Sequence, residues 1–268
     1  MLDAPSLSQV VPPESAALLA LLAKAERGQW QAADIFDGRE KTSLPVWVPV
    51  HFVAAVVSQF HHGEKATIRM CEKLLPSLSD PVARRLVELQ IVDECRHAEA
   101  YRMYLEGLEP LCPVDPILEE AYDKALSWEV DNGKDDGAMV AAFTIVLEGE
   151  ALFSLKYLDR WFTCPRFRGM SAAISRDEAR HHAFGRAYLK SVFSNLGPDQ
   201  RRDVYDRLRG LWHETASGLF QRFRIPTSVL RRRCRTWVET GWLDHEKVLT
   251  DIGLIARADT QNTGATAL

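Results

Sequence analysis

The sequence lacks paired cysteines, and this absence excludes several kinds of protein. Its five cysteines are odd in number and widely spaced, and none lies in a Cys-x-x-Cys pair: Cys71, Cys95, Cys112, Cys164 and Cys234. A disulfide framework and a four-cysteine iron–sulfur site are therefore not expected. The pattern favours a reduced, cytoplasmic protein.

The chain also lacks an excess of positive charge and any long apolar run. Among 268 residues, 33 lysines and arginines stand against 37 aspartates and glutamates, a net charge of −4. No global positive field is present to hold a nucleic acid or an anionic membrane. The longest apolar stretches, 46–57 and 138–147, are shorter than the roughly 20 residues of a membrane span. The first 13 residues show no signal-peptide pattern, so secretion is not expected.

Strand signals are scarce, whereas helix boundaries are clearly marked. No Asn-Gly or Asp-Gly pair flanked by alternating apolar residues predicts a hairpin. Prolines and acidic N-cap residues instead delimit long helical segments. The predicted helices are 15–26, 50–75, 81–105, 117–130, 138–161, 168–195, 199–223, 227–239 and 245–257, with an irregular segment at 27–49 and a turn at 131–137. The predicted fold class is all-α.

The length suits one large domain. We expect a single helical domain over 1–258, with a core bundle at about 50–196, and a flexible tail at 259–268.

A five-residue motif, Asp-Glu-x-Arg-His, occurs twice, each time in the middle of a predicted long helix. The first copy spans 93–97 and the second 177–181. Because the Glu and His of each copy are three residues apart, they lie on one face of a helix. Glu94 with His97, and Glu178 with His181, can therefore each act as a two-point metal clamp.

Two further glutamates complete a regular pattern. Glu64 precedes Glu94 by 30 residues, and Glu148 precedes Glu178 by 30 residues. Four carboxylates and two imidazoles suit a pair of Fe or Mn ions better than a thiolate-rich zinc site. Glu150 is the alternative to Glu148, because residues two apart on a helix cannot share a face.

Each element of this pattern has a simpler interpretation. The two motifs could form interhelical salt bridges through their arginines, and Glu64 could lie on a solvated helix face. The duplication and the regular spacing favour the metal site. The basic run from Arg231 to Arg235 is either a solvated helix face or a surface for a phosphate, an acidic carrier-protein helix or an electron donor.

At these residues the sequence resembles the ferritin-like di-iron carboxylate superfamily. Its oxygen-activating members include bacterial multicomponent monooxygenases, ribonucleotide reductase small subunits, acyl carrier protein desaturases and arylamine N-oxygenases. The resemblance implies a ferritin-like four-helix bundle, here with additional N- and C-terminal helices. It also implies that the Asp before each Glu-x-x-His accepts a hydrogen bond from the ligand histidine of the other motif, which assigns that role to Asp93 and Asp177.

Two details separate the relatives. Glu64 stands where ribonucleotide reductase small subunits generally have Asp, and the chain is shorter than those subunits, which favours an oxygenase over a radical generator. Tyr101, however, follows His97 by four residues, the offset of the radical tyrosine in those subunits. Tyr101 is either a redox residue or a tyrosine packed beside the site.

The resemblance implies a non-haem oxygenase with two Fe ions, or Mn in place of Fe, that uses O2 to oxidise a small organic substrate. Amine N-oxygenation and C–H hydroxylation or desaturation both remain open. No flavin or nicotinamide motif is present, so the expected reductant is an external donor such as a reductase or ferredoxin. A homodimer is expected by resemblance. The alternatives of another class are an iron-handling ferritin-like protein, a radical-generating subunit and a metal-bridged structural bundle.

Overall fold

The computed structural model describes residues 13–36, 42, 44–46, 48–128, 137–161, 164–222 and 228–256, apart from the side chains of some helical residues. The helices are α1 (Pro13–Arg27), α2 (Ala32–Ile35), α3 (Val50–Leu74), α4 (Pro81–Leu105), α5 (Pro116–Leu126), α6 (Ala138–Ala141), α7 (Glu148–Trp161), α8 (Pro165–Ser194), α9 (Pro198–Arg222) and α10 (Ser228–Asp251). A 3₁₀ turn, Leu75–Ser77, follows α3, and a π-helical segment, Ala142–Leu147, joins α6 to α7. No strand occurs in the described ranges, which confirms the all-α prediction.

Proline and aspartate set the helix starts as the sequence predicts. Asp80 caps α4 by accepting a hydrogen bond from the backbone N–H of Val82 at 3.0 Å, and Pro81 follows it. Asp115 and Pro116 begin α5 in the same way. Because a proline at the first helical position loses no backbone hydrogen bond, these boundaries can be predicted from local sequence.

Four helical segments form the central bundle. Helix α3 packs along α4, α4 contacts α8, and α8 contacts α7. The π-helical segment contacts α3 and closes the ring. Helices α1 and α2 cover α4 and α8 on one side, while α9 and α10 cover the π-helical segment on another. This arrangement is the predicted four-helix bundle with added N- and C-terminal helices.

The C-terminal part differs from the prediction of two helices at 227–239 and 245–257. One continuous helix, α10, runs through the predicted break at Gly241. This glycine is needed for packing, because a Cβ atom there would lie 2.6 Å from Cζ2 of Trp212 on α9. The predicted irregular segment 27–49 also differs locally, since it contains the short helix α2.

Other predictions fall partly on residues outside the description. Gly137 has a left-handed backbone (φ 73°), as a turn before α6 requires, but the rest of the predicted turn is not described. The tail at 259–268 lies outside the described residues. Of the basic run 231–235, the side chains of Arg232 and Arg235 are described, and both are exposed. None of the described helices is long and apolar enough to cross a membrane.

Candidate metal centre

The bundle brings the six predicted residues together in its interior. One residue comes from α3, two from α4, one from the start of α7 and two from α8. Each side chain points away from solvent, and no residue of the set is more than 9% exposed. The six buried residues are Glu64, Glu94, His97, Glu148, Glu178 and His181.

One half of the cluster is organised around His97. Its Nδ1 atom lies 3.1 Å from Oε2 of Glu94, 3.3 Å from Oε1 of Glu178 and 3.9 Å from Oε1 of Glu64. Ligand atoms of these four residues all lie within 4.8 Å of one another. That spacing allows one cation to contact all four.

The other half is organised around His181. Its Nδ1 atom lies 3.1 Å from Oε1 of Glu94 and 3.5 Å from Oε2 of Glu178. The carboxylates of Glu94 and Glu178 therefore each present one oxygen to each imidazole. Glu148 belongs to this second half, because its electrostatic neighbours are Glu178, Glu94 and His181. The geometry is that of two adjoining sites with two shared carboxylates.

The choice between Glu148 and Glu150 follows from the same contacts. Glu148 is 7% exposed and meets the cluster. Glu150 instead accepts a hydrogen bond from the Ser154 hydroxyl, and burial raises its pKa to about 7. The structure therefore brings Glu148, and not Glu150, to the cluster.

The burial of so many acidic side chains shifts the pKa values of individual groups in opposite directions. Burial, followed by the neighbouring carboxylates, raises the pKa of Glu64 and of Glu148 well above the ordinary value. Burial alone would also raise the pKa of Glu94, but the imidazoles of His181 and His97 outweigh it and lower that pKa. Conversely, the surrounding carboxylates overcome burial and raise the pKa of both imidazoles. The cluster attracts positive charge.

The second nitrogen of each imidazole is held by an aspartate of the other motif. Nε2 of His97 lies 3.1 Å from Oδ2 of Asp177, and Nε2 of His181 lies 3.1 Å from Oδ2 of Asp93. An ionised carboxylate only accepts, so each Nε2–H donates and each Nδ1 is left to face the glutamates. This cross-pairing is the arrangement that the resemblance implies for the two aspartates.

The arginines of the two motifs join the aspartates into one buried network. Arg96 donates to Asp93 and, at 2.9 Å, to Asp177. Arg180 donates to Asp93 at 3.0 Å and to Asp177 at 2.7 Å. The arginines thus make buried salt bridges, as their simpler interpretation proposed, but with the aspartates and not with the glutamates. Both aspartates are fixed by these contacts, and so are the two histidines.

The turn after α1 adds two residues that sequence reasoning missed. The Trp30 indole N–H donates to Oδ2 of Asp177 at 2.8 Å, and its ring stacks on His97 with centroids 6.1 Å apart. Gln29 donates to Oδ1 of Asp93 at 3.3 Å. No local motif marks either residue, because their partners lie far away in the sequence.

Tyr101 lies beside the His97 half of the cluster. It is fully buried, its ring stacks on Phe60 with centroids 5.6 Å apart, and its electrostatic neighbours are Glu64, Glu178 and Glu94. Burial and these carboxylates raise its pKa well above the ordinary value. Its hydroxyl has no hydrogen-bond partner among the described residues.

A groove of about 580 Å³ lies elsewhere, between the start of α9 and the end of α10. Leu196, Arg201, Tyr205 and Glu246 are among the residues that line it. None of the six cluster residues does so. This groove is therefore separate from the metal-centre candidate.

Comparisons with known proteins support the fold. No family model matches the chain, and no curated protein matches it. Among solved structures, an R2-like ligand-binding oxidase with an aerobically reconstituted Mn/Fe cofactor is similar, with a TM-score of 0.68 and 15% identity over 92% of this chain and 98% of that chain. An R2-like ligand-binding oxidase from Sulfolobus acidocaldarius gives a TM-score of 0.64 and 15% identity, covering 88% and 90% of the two chains.

A putative class I ribonucleotide reductase from Bacillus halodurans is also similar, with a TM-score of 0.67 and 13% identity over 89% of this chain and 92% of that chain. At such identities the likeness concerns the fold. The chain has the all-α ferritin-like fold that these oxidases and reductase subunits share.

Proposed function

We propose that this chain is an oxygen-dependent dimetal oxidoreductase, with Glu64, Glu94, His97, Glu148, Glu178 and His181 as the metal ligands. The observation that carries the proposal is the shared geometry of Glu94 and Glu178. Each carboxylate presents one oxygen to the Nδ1 atom of each histidine. A cluster of structural salt bridges does not require each carboxylate to face both histidines. Two adjacent cations held by shared carboxylates do require it.

The donor set fits two divalent cations. Both carboxylate oxygens of Glu148 are buried, with Thr67 as their hydrogen-bonding neighbour among the described residues. Nδ1 of His181 is also buried, and it faces carboxylate oxygens of Glu94 and Glu178, which only accept hydrogen bonds. Unsatisfied buried acceptors of this kind are costly unless a cation meets them. The six carboxylates of the network exceed its two guanidinium groups by four charges, which two divalent ions balance when the imidazoles are neutral.

The same residues fix how the ions would be held. Glu64 and His97 would serve one ion, Glu148 and His181 the other, and Glu94 with Glu178 would bridge them. Asp177 and Asp93 keep the proton of each imidazole on Nε2, so that Nδ1 remains free as a ligand. Once bound, iron or a mixture of manganese and iron would supply the reaction with O2.

Two of the structurally similar proteins are redox enzymes. One is an oxidase with a Mn/Fe cofactor, and the other is a putative ribonucleotide reductase. For this chain we propose oxidation of a small organic substrate. Amine N-oxygenation is one specific form of this proposal, and C–H hydroxylation or desaturation is the other. No described residue contact distinguishes them, so product analysis with an aromatic amine and with a hydrocarbon must do so.

An external electron donor would reduce the centre, and its electron would enter the protein at Trp30. The half-buried indole donates to Asp177, which accepts from His97. Arg96 lies over the same indole ring, 4.8 Å from its centroid, and holds it in place. An electron arriving at Trp30 would therefore reach a proposed ligand through two hydrogen bonds. A homodimer remains part of the proposal and is tested by the oligomeric state in solution.

The proposal is tested by anaerobic loading with Fe(II), with and without Mn(II), followed by metal analysis and optical spectra on mixing with O2. We expect two metal ions per chain and a rapid spectral change. Glu148→Ala should lose bound metal, while the matched variant Glu150→Ala should keep it. Trp30→Phe should slow re-reduction by an added donor more than Gln29→Ala does.

Three outcomes would contradict this proposal. Wild-type protein that binds no metal would exclude a dimetal enzyme. Metal that binds without reacting with O2 would indicate a structural bundle. Iron that accumulates well beyond two per chain in a large assembly would indicate storage.

A further inference from the structure

Three oxidisable side chains lead away from the carboxylate cluster through the protein interior. Tyr101 and Tyr104 lie three residues apart, on the same face of α4. Cys164 lies at the start of α8 and is a free thiol. All three are fully shielded from solvent, with 0% exposure.

The contacts of Tyr104 join it to the start of α8. Its ring packs edge-on against Phe167, one turn after Cys164, with centroids 5.5 Å apart. Its hydroxyl lies beside the Cys164 thiol and has no other hydrogen-bond partner among the described residues. A buried hydroxyl without a strong acceptor costs stability, so its retention beside a thiol calls for an explanation.

Tyr101 connects this pair to the cluster. It follows His97 by four residues, which places it one turn further along the same face of α4. Its hydroxyl is buried and also lacks a hydrogen-bond partner among the residues described. Tyr101, Tyr104 and Cys164 therefore follow one another from the cluster towards the start of α8, and all three are shielded from solvent.

We propose that Tyr101, Tyr104 and Cys164 form a relay that carries an oxidising equivalent from the dimetal centre to the Cys164 thiol. The inference rests on the proposed function, with O2 as the oxidant. The O–H bond of Tyr101 breaks and its hydrogen atom, as an electron and a proton, goes to oxygen being reduced at the centre. Tyr101 recovers a hydrogen atom from Tyr104, and Tyr104 recovers one from the S–H of Cys164.

The balance of the relay is simple. Both tyrosines end as they began, and one hydrogen atom moves from sulfur to reduced oxygen. A second passage of the relay takes one more electron from the sulfur radical on Cys164. A water molecule then adds to the sulfur, and the proton that it releases restores Tyr104. The product is a sulfenic acid, and two electrons and two protons have passed in all to the oxygen being reduced. Such a relay would discharge the centre when it reacts with O2 and neither substrate nor donor is present.

The test exposes metal-loaded protein to O2 without donor or substrate, and then unfolds it, alkylates the remaining thiols and maps them by mass spectrometry. Cys164 should be oxidised, while Cys95, an exposed thiol in α4, should remain alkylatable. Tyr104→Phe should protect Cys164. Freeze-quenched Cys164→Ser should hold a tyrosyl radical, seen by electron paramagnetic resonance, several times longer than wild type does.

The outcomes separate this relay from the function on which it rests. Normal metal oxidation with Cys164 intact would overturn the relay alone. Equal oxidation of Cys164 and Cys95, or oxidation of Cys164 unaffected by Tyr104→Phe, would also overturn it, because the thiols would then react with diffusing oxidants. Failure to bind metal would overturn both proposals. Thermal unfolding of each variant checks that its fold is retained.

Discussion

Histidines are buried in two regions of this chain, and the two surroundings shift the pKa of the imidazole in opposite directions. In the carboxylate cluster, acidic neighbours overcome burial and raise the pKa of His97 and His181. Between α9 and α10, His245 packs edge-on against Trp212, with ring centroids 4.7 Å apart. Burial lowers its pKa to about 4, against a small opposing effect of Asp244.

Burial alone therefore does not decide the pKa of a histidine, because the groups that face its nitrogens matter as much. His245 is only 8% exposed, and it lies close to the cluster, since its Cε1 atom would be 3.6 Å from a Cβ atom on Gly149. No acidic side chain of the described residues bonds its imidazole, and its Nε2 has no partner among them. His97 and His181 each have glutamates at one nitrogen and an aspartate at the other.

The largest expected effect comes from replacing histidines in each region. His97→Ala and His181→Ala should each weaken Fe(II) binding by more than about 100-fold, because loss of an outer hydrogen-bond partner alone costs about 10–100-fold. His245→Ala should bind the same amount of iron and instead lose about 3 kcal/mol of unfolding free energy, through the cavity it leaves. Anaerobic metal titration and denaturant unfolding of the three variants measure both effects. Iron binding that depends on His245 would remove the distinction between the regions.

The cluster was largely predictable because its signals are local and periodic. Glu94 and His97 must share a helix face wherever that helix packs, and the same holds for Glu178 and His181. The helix starts at Pro81 and Pro116 follow from the chemistry of proline. These features need no knowledge of distant contacts, so sequence alone could supply them.

Features that depend on distant partners could not be predicted. Trp30 meets Asp177 across 147 positions of sequence. The π-helical segment Ala142–Leu147, directly before Glu148, is a backbone rearrangement with no sequence signature here. The continuity of α10 at Gly241 depends on Trp212 of α9. At Trp30 and at Gly241 a tertiary contact, and not local preference, decides the structure.

The buried, neutral His245 should also make the folding stability depend on pH. The pKa of His245 is about 4 in the folded chain and near 6.5 in the unfolded chain. Between pH 4 and pH 6.5, the unfolded chain therefore binds a proton at His245 and the folded chain does not. The contribution of His245 to the free energy of unfolding is therefore fully present above about pH 6.5. It is lost as the pH falls towards 4, by on the order of 3 kcal/mol. Metal-free His245→Phe should lose correspondingly less stability than metal-free wild type over this range in denaturant titrations. If the unfolding free energies of the two proteins fell equally with pH, the low pKa assigned to His245 would be contradicted.

The smallest expected effect concerns Trp212, the ring against which His245 packs. Gly241→Ala places a methyl group against Trp212, whose ring also contacts His245, and we expect a loss of about 1–3 kcal/mol of unfolding free energy. Gly210→Ala is the matched control, because Gly210 lies in α9 and a Cβ atom there meets nothing within 4 Å. It should leave stability unchanged or raise it by up to about 1 kcal/mol, since alanine favours helix. Equal unfolding midpoints for the two variants would show that Trp212 moves aside freely and that α10 continues past Gly241 for another reason.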